Sequence, residues 1–480
     1  MPGAQARPAP AAAPTAVLTA LFMLGEPVPA ATLDVVLPRT GATGARATGL
    51  VDAPDAQGLV RPLVDLRPHE AVDDAGDVRW WIASDLGELV TGRELAPDHV
   101  LGIGGAGLTL AGLTPRAPVA TALDLGCGCG VQTLYLLRHA DRVTATDISA
   151  RALAFTAFNA ALAATGPDRL ELIRGSLLDP LAGRAFDLIA ANPPFVLTPP
   201  AVREAGLPLM EYRDAGAPVL PDLVPAVGER LRPGGTAVML GNWEHHRGRD
   251  WREHVRAWLP DDLDAWVVQR ERQDPVEYAA MWLRDGGAAP ERDEAAFNAR
   301  LGAWIDDFAA RGIEAVGLGF LVVHRPDPDD GRRGPWRVLE EVGTAPPGPL
   351  GEHVARTIAV RSRLAAMSDD DVAALHPVAA PDVTQERHLR PGASDPTVIL
   401  IRQGGGLGRV VRADTALAAL VDVADGELSV AQIAAAVAAL TGLTGLTGLT
   451  GEAGADAEAL HAELVAATRS LAGDGFLTFS

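Results

Sequence analysis

Three features of the sequence predict an α/β fold, a mainly parallel sheet covered by helices, with a small α+β unit at each end. Short apolar segments alternate with helical ones between Ala120 and Leu240. The first apolar segment runs into a glycine loop, L-G-C-G-C-G at Leu125 to Gly130, and a later one runs out into N-P-P-F at Asn192 to Phe195. Alternation of this kind builds a parallel sheet whose ligands gather at the carboxyl ends of the strands. At 480 residues the chain exceeds one ordinary core, so several domains are expected.

Residues 1–12, rich in Ala and Pro, are expected to be disordered. Helical periodicity at Thr15 to Met23 and Ala30 to Leu37, then strand-like runs at Leu59 to Leu66 and Asp77 to Ile82, predict a winged-helix-like domain over 13–94. The central domain, 95–345, carries predicted strands at Ala120 to Leu125, Arg142 to Thr146, Leu170 to Ile173, Phe186 to Ala190 and Thr236 to Leu240. Helices are predicted at Val131 to Arg138, Ala150 to Ala163 and Leu220 to Leu231, with Gly234-Gly235 as the turn into the fifth strand. Beyond it come a helix at Asp250 to Leu259, a strand at Leu263 to Gln269 and a helix at Glu291 to Ala310. Val316 to His324 and Trp336 to Val342 read as a hairpin across the polar loop P-D-P-D-D-G-R-R-G.

T-A-P-P-G-P-L at Thr344 to Leu350 is the expected joint to a last segment, 346–480, a linker followed by a second winged-helix-like domain. There Asp369 to Asp371 and Pro377 to Pro381 read as exposed loop, and Thr397 to Ile401 and Gly408 to Val411 as strands. Ser429 to Leu440 and Ala457 to Ala472 read as helices. The repeat T-G-L-T-G-L-T-G-L-T-G at 441–451 reads as an expanded loop, because glycine at every third place opposes a helix.

Composition narrows the function classes. Apolar residues make up 48%, yet no run reaches about 18 uninterrupted strongly apolar residues, so no membrane span is expected. The apolar piece Ala16 to Leu24 is short, is followed by Glu26 and lacks a basic leader, which argues against a secretory signal. Cys127 and Cys129 are the only cysteines, and a disulfide between them would distort the glycine loop. Free thiols in a reducing, cytoplasmic compartment follow, and no metal site is expected. All the basic side chains are arginines, and the net charge of −21 opposes long-range association with nucleic acid. A local arginine patch would still suffice for RNA, although no long basic run nominates one.

Gly126, Gly128 and Gly130 let a ligand lie against backbone where side chains would collide. The dinucleotide pattern G-x-G-x-x-G needs a third glycine where Val131 stands, which counts against a nicotinamide cofactor. The competing reading is a plain tight turn. With Asp124 two residues ahead of the first glycine, the run resembles motif I of class I S-adenosylmethionine-dependent methyltransferases. That resemblance implies their Rossmann-like sheet and a donor held by Asp124, Gly126, Cys127, Gly128, Gly130, Asp147, Ile148, Ser176 and Asn192. Asp147 follows Gly126 by 21 residues, one strand-helix-strand unit, and suits the paired hydroxyls of a ribose. Ser176 should lie at the adenine edge, with Asp179 as rival or partner, and the likeness puts Asp124 near the methionine amino group through water. Capping roles for Asp147 and Ser176 are the alternatives, and both cysteines read as small loop fillers.

The N-P-P-F stretch carries the acceptor chemistry. A conjugated amine is a poor nucleophile, and acceptors that hold its N–H groups favour the geometry in which the lone pair faces a methyl group. Asn192 Oδ1 and the Pro193 carbonyl are the candidate acceptors, Pro194 stiffens the turn, and Phe195 would stack on the planar group. The stretch resembles motif IV of N-methyltransferases with an MTS-type core: the HemK/PrmC protein-glutamine enzymes, the RsmC/RlmG rRNA guanine-N2 enzymes and adenine-N6 enzymes. The likeness covers roughly residues 95–245, and the layout with Y-R-D-A-G at Tyr212 to Gly216 resembles a group of actinobacterial methyltransferases. It implies methylation of an exocyclic base amine of RNA or of a glutamine-like amide, with a small-molecule or peptide natural-product acceptor as alternative. A noncatalytic binding protein of the same fold is disfavoured by the intact Asn192 and glycine loop. Tyr212 and Arg213, as a cover, and Trp243 in N-W-E-H-H, after the fifth strand, complete the expected substrate contacts. His245 and His246 read as exposed or capping. The first 90 residues are too few for the duplicated fold usual in RsmC-type proteins, and the flanking segments are unlike the helical substrate domain of the glutamine enzymes.

Overall fold

The inner strands of the main sheet are buried on both faces, so each alternates its side chains between two apolar layers. The computed structural model describes residues 13–92, 95–196, 198–204, 219–329, 331, 334–344, 348–440 and 453–479. The expected disordered leader, the 441–451 repeat, Tyr212 and Arg213 lie outside the described residues.

One eight-stranded sheet is built from β1 (Val119–Leu125), β2 (Ala140–Asp147), β3 (Leu170–Arg174), β4 (Phe186–Ala191), β5 (Leu231–His246), β6 (Asp264–Gln273), β7 (Ile313–His324) and β8 (Arg337–Glu341). Their spatial order is β8-β6-β7-β5-β4-β1-β2-β3. β1 pairs in parallel with β2 and β4, β2 with β3, and β4 with β5. β7 runs antiparallel to β5 and to β6, while β8 is parallel to β6. The chain order reverses direction at β1, which makes the carboxyl ends of β1 and β4 the switch point where ligands bind in such sheets.

On one face Leu123, Leu125, Ile189, Ala191, Ala237 and Met239 pack under α4 (Leu220–Glu229) and α5 (Trp251–Arg256), whose contributions include Leu223, Val227, Trp251 and Val255. On the other, Ala122, Val143, Leu188, Ala190, Val238 and Leu240 meet α1 (Gly105–Leu113) and α2 (Val131–Leu136). That second face is completed from far along the chain. Val354 and Ile358, on the helix Gly351–Ala366, belong to the same apolar cluster. No helix was expected there.

Several other expectations are corrected. The run at Trp336 to Val342 makes no hairpin with its predecessor, because β6 lies beside it in parallel and β7 is one strand further away. N-W-E-H-H does not follow the fifth strand but continues it, with His246 opposite Ile313. The helix expected at Glu291 to Ala310 is present as Glu294–Arg311, and ahead of it stands a further helix without a counterpart in the sequence reading, Pro275–Asp285, opened by an Asp274/Glu277 capping box. Asp369 to Asp371 begin a short helix capped by Ser368, and Pro377–Ala379 is a strand paired with Leu477–Phe479.

Upstream of the sheet, the hairpin Asp65–Asp73/Gly76–Ser84 rests on α2 through Trp80, whose ring meets Tyr135 edge-on at 5.0 Å. Downstream, Arg409 bonds Glu340 on β8 at 2.6 Å, and Trp266 Nε1 donates to the same carboxylate at 2.6 Å. Burial opposes the charge of Glu340, but Arg409 holds its pKa below the usual range. Among the described residues no helix is long and apolar enough to cross a membrane.

Candidate functional site

The loops after β1, β2, β3 and β4 converge on one cavity of ≈ 400 Å³. Gly126 N and Cys127 N both donate to the Thr146 carbonyl, which folds the glycine loop over the end of β2. Gly126, Gly128 and Gly130 all have positive φ, at 79°, 54° and 86°. A side chain on Gly128 would meet nothing within 4 Å, so its backbone faces open space. One on Gly130 would stand 2.9 Å from Thr156 Oγ1. Gly128 therefore cradles, whereas Gly130 packs against α3 (Ala150–Leu162).

Asp147 closes the loop from the other side. Its Oδ2 accepts from Gly128 N at 2.9 Å and its Oδ1 from Ser149 N at 2.9 Å. Burial raises its pKa, and backbone N–H groups of Gly128, Ser149 and Ile148 oppose that rise. A carboxylate has lone pairs beyond those two bonds, so Asp147 can also accept from a diol. Ile148, half exposed, and Ser176 line the same cavity.

Asn192 and Pro194 line it at the end of β4. Among the described residues the Asn192 side chain makes no hydrogen bond, which leaves its amide available to a ligand. Of the candidates, Gly126, Cys127, Gly128, Asp147, Ile148 and Ser176 on the donor side and Asn192 and Pro194 of the acceptor turn thus surround one space. Cys127 and Cys129 are buried free thiols, with Cys127 held by Thr156 Oγ1 at 3.2 Å. Burial pushes Cys127 well above its ordinary pKa and Cys129 up to about 11, so neither is a thiolate nucleophile.

Three expected contacts are placed elsewhere. Asp124 is 1% exposed and does not line the cavity; its Oδ2 accepts from Thr133 Oγ1 at 2.6 Å, and burial lifts its pKa to about 7. It stiffens the floor of the loop rather than touching what the loop holds. Phe195 packs edge-on against Trp282 at 6.3 Å and anchors the turn. Trp243 is 1% exposed, stacks on Trp251 at 5.2 Å and donates to Gln269 Oε1 at 2.7 Å, so packing rather than substrate occupies it.

Sequence reasoning missed the wall formed by Asp98, His99, Leu101, Gly102, Gly104 and Gly107. The glycine-rich run L-G-I-G-G-A-G at Leu101 to Gly107 was its available signal. Asp85 secures this wall: Oδ2 accepts from Val100 N at 2.9 Å and from Arg151 Nε, on α3, at 2.8 Å. Gln132 Nε2 holds the far end through the Gly107 carbonyl at 2.6 Å.

Sheet order and loop cluster together are those of a class I methyltransferase fold. Within that class, residues 105–205 match the methyltransferase small domain, and residues 2–62 match a domain of unknown function (DUF7059). A release factor glutamine methyltransferase of Moorella thermoacetica is 34% identical over 164 residues, covering 32% of this chain and 56% of that protein. Its counterpart in Geobacter sulfurreducens is 39% identical over 133 residues, 25% of this chain and 45% of that one. A ribosomal RNA small subunit methyltransferase C of Alcanivorax borkumensis is 30% identical over 122 residues, 25% and 32% respectively. The chain spans about half or less of the length of these curated relatives.

Proposed function

We propose that this protein transfers a methyl group from S-adenosylmethionine to a planar nitrogen, either an exocyclic base amine of RNA or a glutamine-like amide. The observation that carries the reading is the meeting, in one cavity, of the Asn192 amide, unbonded among the described residues, with the Gly126–Gly128 cradle and Asp147. Fit supports the donor: the cavity is of ligand size, Gly128 leaves backbone open to it, and Asp147 offers a carboxylate to a ribose. When bound, S-adenosylmethionine supplies an electrophilic methyl carbon on a sulfonium centre.

The chain's own part is positioning. Asn192 Oδ1 and the Pro193 carbonyl accept from the N–H groups of the acceptor, which aims the nitrogen lone pair into the cavity. Because the sulfonium is already charged, no strong base is needed before attack; close approach within about 3–3.5 Å is the main demand. Phe195, wedged on Trp282, and Pro194 keep the turn stiff.

Residues 13–94 and 346–480 serve, on this reading, as recognition or covering units around a transferase domain of 95–345. The joint at 345 is then a boundary of sequence rather than of packing, since Val354 and Ile358 belong to the sheet's core. The two acceptor classes are those of the relatives, a release factor glutamine methyltransferase and a ribosomal RNA methyltransferase. A reducing, cytoplasmic setting suits both.

Incubating the purified protein with labelled donor and separate RNA, protein and metabolite fractions of a source-cell lysate tests the reading. Label is expected in RNA or protein and is lost in Asn192→Ala and Asp147→Ala. Labelling unaffected by both variants would reject the site.

A further inference from the structure

A chain with a net charge of −21 carries, beside this site, a stretch of opposite character: H-H-R-G-R-D-W-R-E-H-V-R at 245–256. β5 continues past the acceptor turn. Ala191 lies opposite Met239, and His246 is seven residues further along, about 23 Å at the strand rise of about 3.3 Å per residue. Arg247 and Arg249 therefore lie beyond the same edge of the sheet as Asn192, and α5, which carries Arg256, turns back along one face, where Arg252 reaches Leu339, level with Met239.

Charge there is not cancelled. Arg252 is paired with Asp250 at 3.2 Å, and Arg311 takes up Glu244. Arg247, Arg249 and Arg256 are exposed and make no side-chain hydrogen bond or ion pair among the described residues. Within the stretch, and among the described residues, Glu253 is the one acidic side chain without an ion pair. The stretch is also rigid. Trp251 stacks on Trp243 with rings 16° apart, Trp243 Nε1 and His245 Nε2 share Gln269 Oε1 at 2.7 Å, and Arg252 Nε donates to the Leu339 carbonyl. Buried aromatic packing thus holds three free guanidinium groups on a fixed support, and guanidinium forks match phosphate oxygens.

We propose that Arg247, Arg249 and Arg256 form a docking surface for the phosphate backbone of a single-stranded RNA whose target base occupies the Asn192 turn. This rests on the methyl-transfer reading and selects RNA from its two acceptor classes. Phosphate contact is the sequence-independent part of such recognition, and it registers as a salt-dependent affinity.

Fluorescence anisotropy of a labelled 20-nucleotide single-stranded RNA against the full chain, from 50 to 200 mM salt, tests it without any donor present. The triple variant Arg247→Glu/Arg249→Glu/Arg256→Glu should bind at least tenfold more weakly. Its salt slope should fall by about 2, since each phosphate that a guanidinium neutralises adds about 0.7 on a single strand. The triple lysine variant should keep most of the affinity, and donor affinity should match wild type in both. No RNA binding by wild type at 50 mM salt, or an unchanged slope in the glutamate variant, overturns the proposal. So does methylation confined to protein and undiminished in that variant. If RNA binds through these arginines but receives no methyl group, the docking surface stands and the transfer reading fails.

Discussion

Asn159 Nδ2 donates at 2.8 Å to the carbonyl of Cys129, inside the glycine loop, from the middle of α3. The same amide is bonded at 2.8 Å to both backbone groups of Ala83, on the strand Gly76–Ser84. One fully buried side chain therefore splices the N-terminal hairpin to the donor loop. Asn159→Ala leaves three buried backbone groups without it, at about 1–3 kcal/mol each before water or relaxation repays part. A melting temperature several degrees lower and a donor Kd raised at least tenfold are expected from thermal scans and titration. Undisturbed donor affinity in a folded variant would count against the coupling.

Gly128 and Gly130 should respond differently to alanine. Both sites carry positive φ, which costs an L-residue about 1–2 kcal/mol. At Gly130 the new methyl also meets Thr156 at 2.9–3.0 Å, whereas at Gly128 it enters the cavity. Gly130→Ala should be the less stable protein, and Gly128→Ala the poorer donor binder relative to its stability. Equal losses on both measures would contradict the division of labour.

Asp124 makes stability depend on pH in an unusual direction. Its pKa in the fold, about 7, lies above the ordinary 3.8, so the native state holds the proton more tightly than the unfolded chain. Its contribution is most favourable below about pH 4, declines as pH rises through the interval to about 7, and is flat above. Asp124→Asn can still accept from Thr133 and carries no charge. Between pH 5 and 7 the melting temperature of wild type should fall relative to this variant; parallel curves would refute the burial argument.

Trp243→Phe removes the indole N–H from Gln269 Oε1 but leaves His245 on the same oxygen. A stability loss of about 1 kcal/mol is expected, with KM for the methyl acceptor within twofold of wild type. A large rise in KM would restore Trp243 to the substrate site.

The central sheet was legible because its strands are apolar on both faces, so runs such as Leu188 to Ala191 stand out whatever lies around them. The loop residues were legible for another reason: Gly126, Gly128, Asp147 and Asn192 each stand at or just beyond the end of a strand. Trp243 misled because a conspicuous aromatic at the end of the expected strand looked like a contact. The strand in fact runs on to His246 and buries the indole. Gly351–Ala366 was hidden by its arginine-rich outer face, although Val354 and Ile358 have helical spacing. The order of β6, β7 and β8 could not be read locally, since chain neighbours β7 and β8 are kept apart by β6.

The late arrival of Val354 and Ile358 matters during synthesis. β5 ends at residue 246, yet the last helix roofing one side of the sheet ends at residue 366, 120 residues afterwards. At about 5–20 residues per second, the ribosome needs roughly 6–24 s to supply it. As that interval proceeds the nascent chain adds Trp266 and then Phe320, which stay uncovered until residue 366 is made, so chaperone demand should be greatest there, and premature termination before residue 366 should yield aggregating fragments.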